Sequence, residues 1–344
     1  MKYLLITITL FSFSSLIYSQ EQENLILVTL DGVRWQEIFY GIDPNIIIKL
    51  EKTTNKIHGI DHYAEDSINS SRQNLCPFIW HKLNKFCQIS GNRVHNNRCD
   101  VKNNYWFSYP GYNEMLTGKN DPKINSNAKV YNKNKTILEK LNQQEFYKNQ
   151  IAVFSSWEVF PYILNNKRSG LMINSGTNDT YNKMTGISPL APTVNNDSKI
   201  PRKDYRPDKT TYELAKSYLQ TYKPKILFLA LNDTDEFAHQ GKYDEYLHSI
   251  HRADSILKDL WETIGTMDEY NNKTALIITT DHGRGYNFSG SWRNHGRSIS
   301  GSDHIWYITN NSIPGIFGEN KDPNQFFLAQ VADQIKNRLL NKSK

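Results

Sequence analysis

Runs of consecutive apolar residues, rather than alternating ones, set the frame of this chain. "LILVTLDGV" at 25–33, "KILFLALND" at 225–233 and "TALIITTDHG" at 274–283 carry little polar interruption until each reaches an acid. A strand covered on both faces needs no polar side, so such runs fit the interior of a parallel sheet. "IAVF" at 151 and "HIWYIT" at 304 are shorter candidates. Between them the period changes. Residues 208–222, "DKTTYELAKSYLQTY", open on an Asp suited to a helix start and space their apolar residues by three and four. Residues 243–265 show the same spacing through Tyr246, Ile250, Leu257, Leu260 and Ile264, and 323–340 is amphipathic. Strands alternating with helices predict an α/β fold, a doubly wound and mostly parallel sheet flanked by helices.

Two stretches interrupt that rhythm. Residues 41–102 are polar, carry the cysteines and lack strong strand runs, which predicts one or two helices and an excursion. Residues 165–207 are rich in Asn, Ser, Pro, Gly and Thr and read as a long surface excursion over the sheet edge. The expected organisation is one domain over 21–344 with insertions near 41–102 and 165–207.

The first residues are of a different kind. "YLLITITLFSFSSLI" at 3–17 follows Met1-Lys2 and precedes "YSQ", the layout of a secretory signal peptide over 1–20. The apolar run is short against the roughly 20 residues that span a bilayer. The expectation is an exported chain, periplasmic or secreted, with no stable membrane anchor once the signal is removed. Lys and Arg number 41 against 35 Asp and Glu, a net +6. The basic residues are spread along the chain, so no nucleic-acid groove is demanded, and a mild positive field suits an anionic small-molecule substrate. In an exported chain, Cys76, Cys87 and Cys99 predict one disulfide and one remaining thiol, with three pairings open. No CxxC spacing points to a zinc site among them. Nothing in the sequence sets an oligomeric state.

Chemistry collects where the apolar runs end. Asp31 follows "LVTL", Asp233 and Asp235 follow "FLALN", and Asp281 with His282 follows "LIITT". Each Asp alone suits a turn or a helix cap. Together they would meet beyond the carboxyl ends of the strands, where open α/β sheets bind ligands. In "DEFAH", His239 stands four residues after Asp235 and shares a helical face with it. Mixed carboxylate and imidazole ligands suit Zn²⁺. "GSDHIWY" adds His304 before a strand, and His295 in "RNHGRS" is a neighbour of the same region. Upstream, "KNNYWFSYPGYNEMLTGK" at 102–119 sets Ser108 between an aromatic run and a helix start. That is either an ordinary capped turn or a nucleophile held at a helix N-terminus.

The order Asp31, Ser108, Asp235-x-x-x-His239, Asp281-His282, His304 resembles the alkaline phosphatase superfamily. It is most similar to the nucleotide pyrophosphatase/phosphodiesterase branch, with likeness to the cofactor-independent phosphoglycerate mutases. The resemblance implies two divalent ions per chain, expected to be Zn²⁺. Asp31, Asp281 and His282 would hold one, with Ser108 bridging to it, and Asp235, His239 and His304 the other. It implies a phosphoric ester hydrolase, phosphodiesterase or phosphatase, with Ser108 as nucleophile. A phosphomutase is the alternative, and export argues against it. A sulfatase of the formylglycine type would have Arg where Tyr112 stands. A non-catalytic binding protein would not need the full ligand set. The phosphodiesterase branch carries Thr-x-Pro-Asn-His, whereas this chain reads Ser108-Tyr109-Pro110-Gly111-Tyr112.

Overall fold

A computed structural model describes residues 23–53, 59–65, 67–176, 205–286, 291–310 and 317–340. The signal-like 1–20 and most of the 165–207 excursion lie outside the described residues. The strands are β1 Asn24–Leu30, β2 Cys87–Ser90, β3 Asn97–Asp100, β4 Ile151–Ser155, β5 Met172–Ser175, β6 Ile226–Leu231, β7 Thr274–Thr279, β8 His304–Ile305, β9 Tyr307–Asn310, β10 Gly318–Glu319 and β11 Asn324–Phe327. The helices are α1 Trp35–Tyr40, α2 Pro44–Thr53, α3 Ile68–Leu75, α4 Pro77–His81, α5 Ser108–Thr117, α6 Ile137–Asn142, α7 Phe160–Ile163, α8 Asn166–Ser169, α9 Asp208–Tyr222, α10 Asp233–His239, α11 Tyr243–Gly265 and α12 Gln330–Leu339. None of the described helices is long and apolar enough to cross a membrane.

The main sheet has eight strands in the order β10-β2-β9-β7-β1-β6-β4-β5. Its centre, β7-β1-β6-β4-β5, is wholly parallel, and β9 runs antiparallel to both β7 and β2. The three uninterrupted apolar runs are the three adjacent central strands, buried along their whole length. In β1, Ile26, Val28 and Leu30 face a layer that includes Ile38, Phe39, Tyr212, Leu257 and Leu260. Leu25 and Leu27 face the opposite layer, with Tyr112, Leu116, Leu138 and Ile335. Each fully buried Leu, Ile or Val contributes roughly 1.5–3 kcal/mol, so this double covering fixes the sheet before any site residue is placed. The order of the central strands sets Asp31, Asp233 and Asp281 just past three neighbouring strand ends.

Four expectations change. The polar stretch 41–102 contributes β2 to the main sheet and β3 to a second sheet, ordered β11-β3-β8. Four-residue strands are too short to show a period. "HIWYIT" divides at Trp306, whose indole donates to Val33 O at 3.0 Å, so β8 and β9 join different sheets. Residues 324–327 form a strand, and the terminal helix starts only at Gln330. All three cysteines are free and fully buried. Cys76 and Cys87 lie in one packing layer and Cys99 in the other, so they serve as small core residues. Burial pushes the Cys87 thiol up to about 12 and raises the other two.

One buried carboxylate makes stability depend on pH. Asp254 of α11 accepts from Phe78 N at 2.7 Å and Ile79 N at 2.9 Å, capping α4. Burial raises its pKa from 3.8 to about 7, although those two N–H groups favour the charged form. A raised folded-state value means this group stabilises the fold at low pH, and the contribution is lost as pH rises from about 4 through about 7. Asp208 and Asp233, raised to about 6 by burial, act in part of the same window. Asp254→Asn is therefore expected to flatten, not abolish, the fall of urea midpoint between pH 5 and 8. Parallel profiles for variant and wild type would remove Asp254 from this account.

Candidate active site

The end of β1 turns at Gly32, which has φ +61 and whose added Cβ would lie 2.9 Å from Arg284 Nε. Asp31 just before it is 1 % exposed, and Asp281 and His282 after β7 are fully buried. One ligand atom from each of Asp31, Asp281 and His282 lies within 4.8 Å of the others. His282 Nε2 is 3.3 Å from Asp31 Oδ1 and 3.6 Å from Asp281 Oδ2. His282 Nδ1 sits 2.9 Å from Gly283 O, a carbonyl that can only accept, so Nδ1 carries the proton and Nε2 faces the carboxylates. Burial and the charges of Asp281 and Asp235 raise Asp31 well above the usual carboxylate range, and burial raises Asp281 too. Burial opposes charging His282, but Asp281 and Asp31 outweigh it and lift the ring to about 9.

The second group stands on α10. Its first turn is tied to neighbouring elements: Thr234 Oγ1 donates to Asp31 O at 2.6 Å. Asp208 accepts from Asn232 N and Asp233 N at 2.7 and 3.0 Å, and Asp233 accepts from Asp208 N at 3.1 Å. In the same turn, Asp235 Oδ2 is 3.4 Å from His239 Nε2 at the helix's last residue. His295 completes the set, with Nε2 2.9 Å from His239 Nε2 and 3.6 Å from Asp235 Oδ1. The His282 and His295 rings stack at 4.0 Å, so the two groups adjoin. Arg284 is buried with its guanidinium on the Asp235 carboxylate, Gly32 O and Arg293 O. Burial alone would raise Asp235, but Arg284, His239 and His295 hold it well below the usual carboxylate range. Burial and the His282 charge push His295 well below the ordinary imidazole value.

Ser108 is the first residue of α5 and only 5 % exposed, with Oγ 3.4 Å from His282 Nε2. Extended Phe107 precedes it, at φ −148 and ψ 173, so the chain enters the helix abruptly at the serine. Gly111 explains the "YPGY" sequence. A Cβ there would meet Asp281 O at 2.3 Å, so only glycine lets this turn of α5 rest on the backbone that carries Asp281. The next amide, Tyr109 N, donates to Asn127 Oδ1 at 2.9 Å, which brings an exposed loop to the positive end of the helix.

The structure brings together Asp31, Ser108, Asp235, His239, Asp281 and His282. His304 does not join them. It pairs with Asp100 across β8 and β3, with Nε2 3.6 Å from Asp303 Oδ1, and belongs to a separate cluster of Asp100, Asp303 and His304. The His304 backbone packs against Gly283 beside the site, but its imidazole is partnered by Asp303, and His295 stands beside Asp235 and His239 instead. The signal for His295 is Trp292 three residues earlier, a buried aromatic that pins the loop against Tyr243 at 5.0 Å and Tyr246 at 6.0 Å. Other polar residues near the site are occupied structurally. Arg284 holds Asp235, and Asn113 accepts from Asn132 and Asn134 while donating to Lys119 O.

The donors fit divalent cations. Among the described residues, the buried oxygens Asp31 Oδ1 and Asp281 Oδ2 have no hydrogen-bond partner. Two such oxygens beside an imidazole nitrogen would be costly without a positive charge. Asp235, His239 and His295 offer one oxygen and two nitrogens, the mixed set that zinc accepts.

Comparison with known proteins agrees with this chemistry. A family model described as "Metalloenzyme superfamily" matches residues 167–337, the part carrying Asp235, His239, Asp281, His282 and His295. No curated protein sequence matches the chain. Solved structures share its fold at low identity. The lipoteichoic acid synthase LtaP from Listeria monocytogenes is 11% identical, with TM-score 0.56 over 93% of this chain and 72% of that one. The C-terminal periplasmic domain of EcEptC from Escherichia coli, in complex with Zn, is 11% identical, with TM-score 0.51 over 93% and 83%. BT1596, a 2-O GAG sulfatase, is 11% identical, with TM-score 0.54 over 92% and 70%. Residues 167–337 thus match the metalloenzyme superfamily, and the chain shares the alkaline phosphatase-like fold of these solved structures.

Proposed function

We propose that this chain is an exported phosphoric ester hydrolase that works through Ser108 and two divalent cations, zinc in each position. The observation that carries the reading is Ser108 Oγ lying 3.4 Å from His282 Nε2, where the two carboxylate–imidazole groups adjoin. Asp31, Asp281 and His282 would hold one cation and Asp235, His239 and His295 the other. When bound, the pair supplies Lewis acidity to the phosphoryl oxygens and lowers the pKa of the serine hydroxyl. Ser108 gives its proton to water as Oγ attacks phosphorus; the Oγ–P bond forms, the bond from phosphorus to the ester oxygen breaks, and that oxygen leaves with its electron pair and takes a proton from water. Water then cleaves the phosphoserine and returns the hydroxyl. The N-terminal end of α5 favours negative charge on the group transferred to Ser108. His282 Nδ1 and Arg284 act earlier: the first fixes its ring on Gly283 O, and the second fixes the Asp235 carboxylate.

Phosphate rather than sulfate is supported by Ser108-x-Pro110-x-Tyr112, which lacks the arginine of the formylglycine motif, and by imidazoles in both ligand sets. The test is a panel of chromogenic phosphomonoesters, phosphodiesters and sulfate esters, assayed with zinc and after chelation. Phosphate-ester turnover that chelation removes and zinc restores is expected. Turnover untouched by chelation, or confined to sulfate esters, would overturn the reading.

A further inference from the structure

The turn that leads into Ser108 is strained and is held from below. Trp106 has φ +53, a left-handed conformation unfavourable for a bulky L-residue. Asn103 holds it there: its Oδ1 accepts from Tyr105 N at 2.9 Å and Trp106 N at 3.2 Å. Asn103 is in turn held by Glu114, whose Oε2 accepts from Asn103 N at 2.6 Å and Asn103 Nδ2 at 3.0 Å. Glu114 Oε1 takes Lys102 N at 2.8 Å and Ala329 N at 3.2 Å. Glu114 is fully buried and Asn103 only 2 % exposed, so these bonds are shielded from water.

The strained turn has a visible product. It aims Trp106 O at His295 Nδ1, 3.3 Å away. A carbonyl only accepts, so this contact keeps the proton on Nδ1 and leaves Nε2 to face His239 and Asp235. A hydrogen bond of this kind on the far nitrogen orients a metal-binding imidazole. Because Glu114 and Ser108 share α5, one rigid element carries both the nucleophile and the anchor of the turn that steers His295.

We propose that Asn103 and Glu114 are a positioning pair, acting through the Trp106 carbonyl to set His295 for the second cation. The proposal rests on the two-cation reading above. The experiment is zinc competition titration of the full chain against a chromophoric chelator, together with ¹⁵N chemical shifts of His295 in the metal-free protein. Asn103→Ala is expected to weaken the second zinc by about 10- to 100-fold and to mix the His295 tautomers, while the first zinc is kept. Trp106→Gly and Trp106→Val provide an independent pair if Asn103→Ala does not fold. Glycine enters the left-handed region freely and should keep the wild-type zinc affinity, whereas valine should lose it as Asn103→Ala does. A wild-type chain with two zinc ions and an Asn103→Ala variant of equal affinity would overturn this proposal alone. So would equal behaviour of the glycine and valine variants. A wild type that binds no zinc would overturn both this proposal and the functional reading.

Discussion

Replacing Ser108 by alanine is expected to lower phosphate-ester turnover by about three orders of magnitude or more, on the scale of removing a nucleophile from other covalent hydrolases. The loss should come without loss of metal. Asp31, Asp281 and His282 are carried by β1 and β7, whose burial does not depend on the serine hydroxyl. Residual stability should be close to wild type, because the variant removes one oxygen at the start of α5 and leaves Gly111 seated on Asp281. Ser108→Thr keeps a hydroxyl at the same place and is expected to keep measurable turnover. An alanine variant within tenfold of wild type would mean that water attacks phosphorus directly and that Ser108 only fills space.

The largest expected loss of stability lies one layer below the site. Arg34 and Glu37 are a fully buried ion pair, with Arg34 Nη2 2.6 Å and Arg34 Nε 2.9 Å from the Glu37 carboxylate. Tyr243 adds a hydroxyl bond to Glu37 at 2.9 Å, and Tyr246 one at 3.4 Å. Arg34 also reaches Asp43 at 3.0 Å and Gly285 O at 3.2 Å. Burial would discharge Arg34, but Glu37 outweighs it and holds the guanidinium above its ordinary pKa. Glu37→Gln leaves that cation with Asp43 alone. Breaking one side of a buried pair costs about 3–5 kcal/mol, a fall in Tm of about 4–7 °C in a chain of this size. Because Gly285 and Trp292 belong to the segment that presents His295, turnover should fall along with stability. A loss under about 1 kcal/mol would show that the pair is exposed or replaceable in solution.

The sequence spoke most clearly where one physical demand governed a whole segment. The central strands were legible because a doubly covered strand must be apolar throughout, and Asp31, Asp235, Asp281 and His282 followed from their positions at those strand ends. α9 and α11 showed their helical period without ambiguity. Legibility failed where tertiary packing decides. β2 and β3 are too short for a pattern, and their partners are remote in the chain. His304 and His295 are both histidines near glycines, nine residues apart, and only the pairing of β8 with β3 tells which one reaches Asp235. The cysteine expectation failed because sequence spacing says nothing about which face of a sheet a side chain takes. Nothing in the sequence marks Arg284 as the residue whose guanidinium holds Asp235, because that contact joins elements 49 residues apart.

The most direct test of two cations around Ser108 is anomalous scattering at the zinc edge from crystals of the zinc-loaded protein. Two peaks are expected, one among Asp31, Asp281 and His282 and one among Asp235, His239 and His295, both within reach of Ser108 Oγ. A single peak, or zinc held instead by Asp100, Asp303 and His304, would contradict the account.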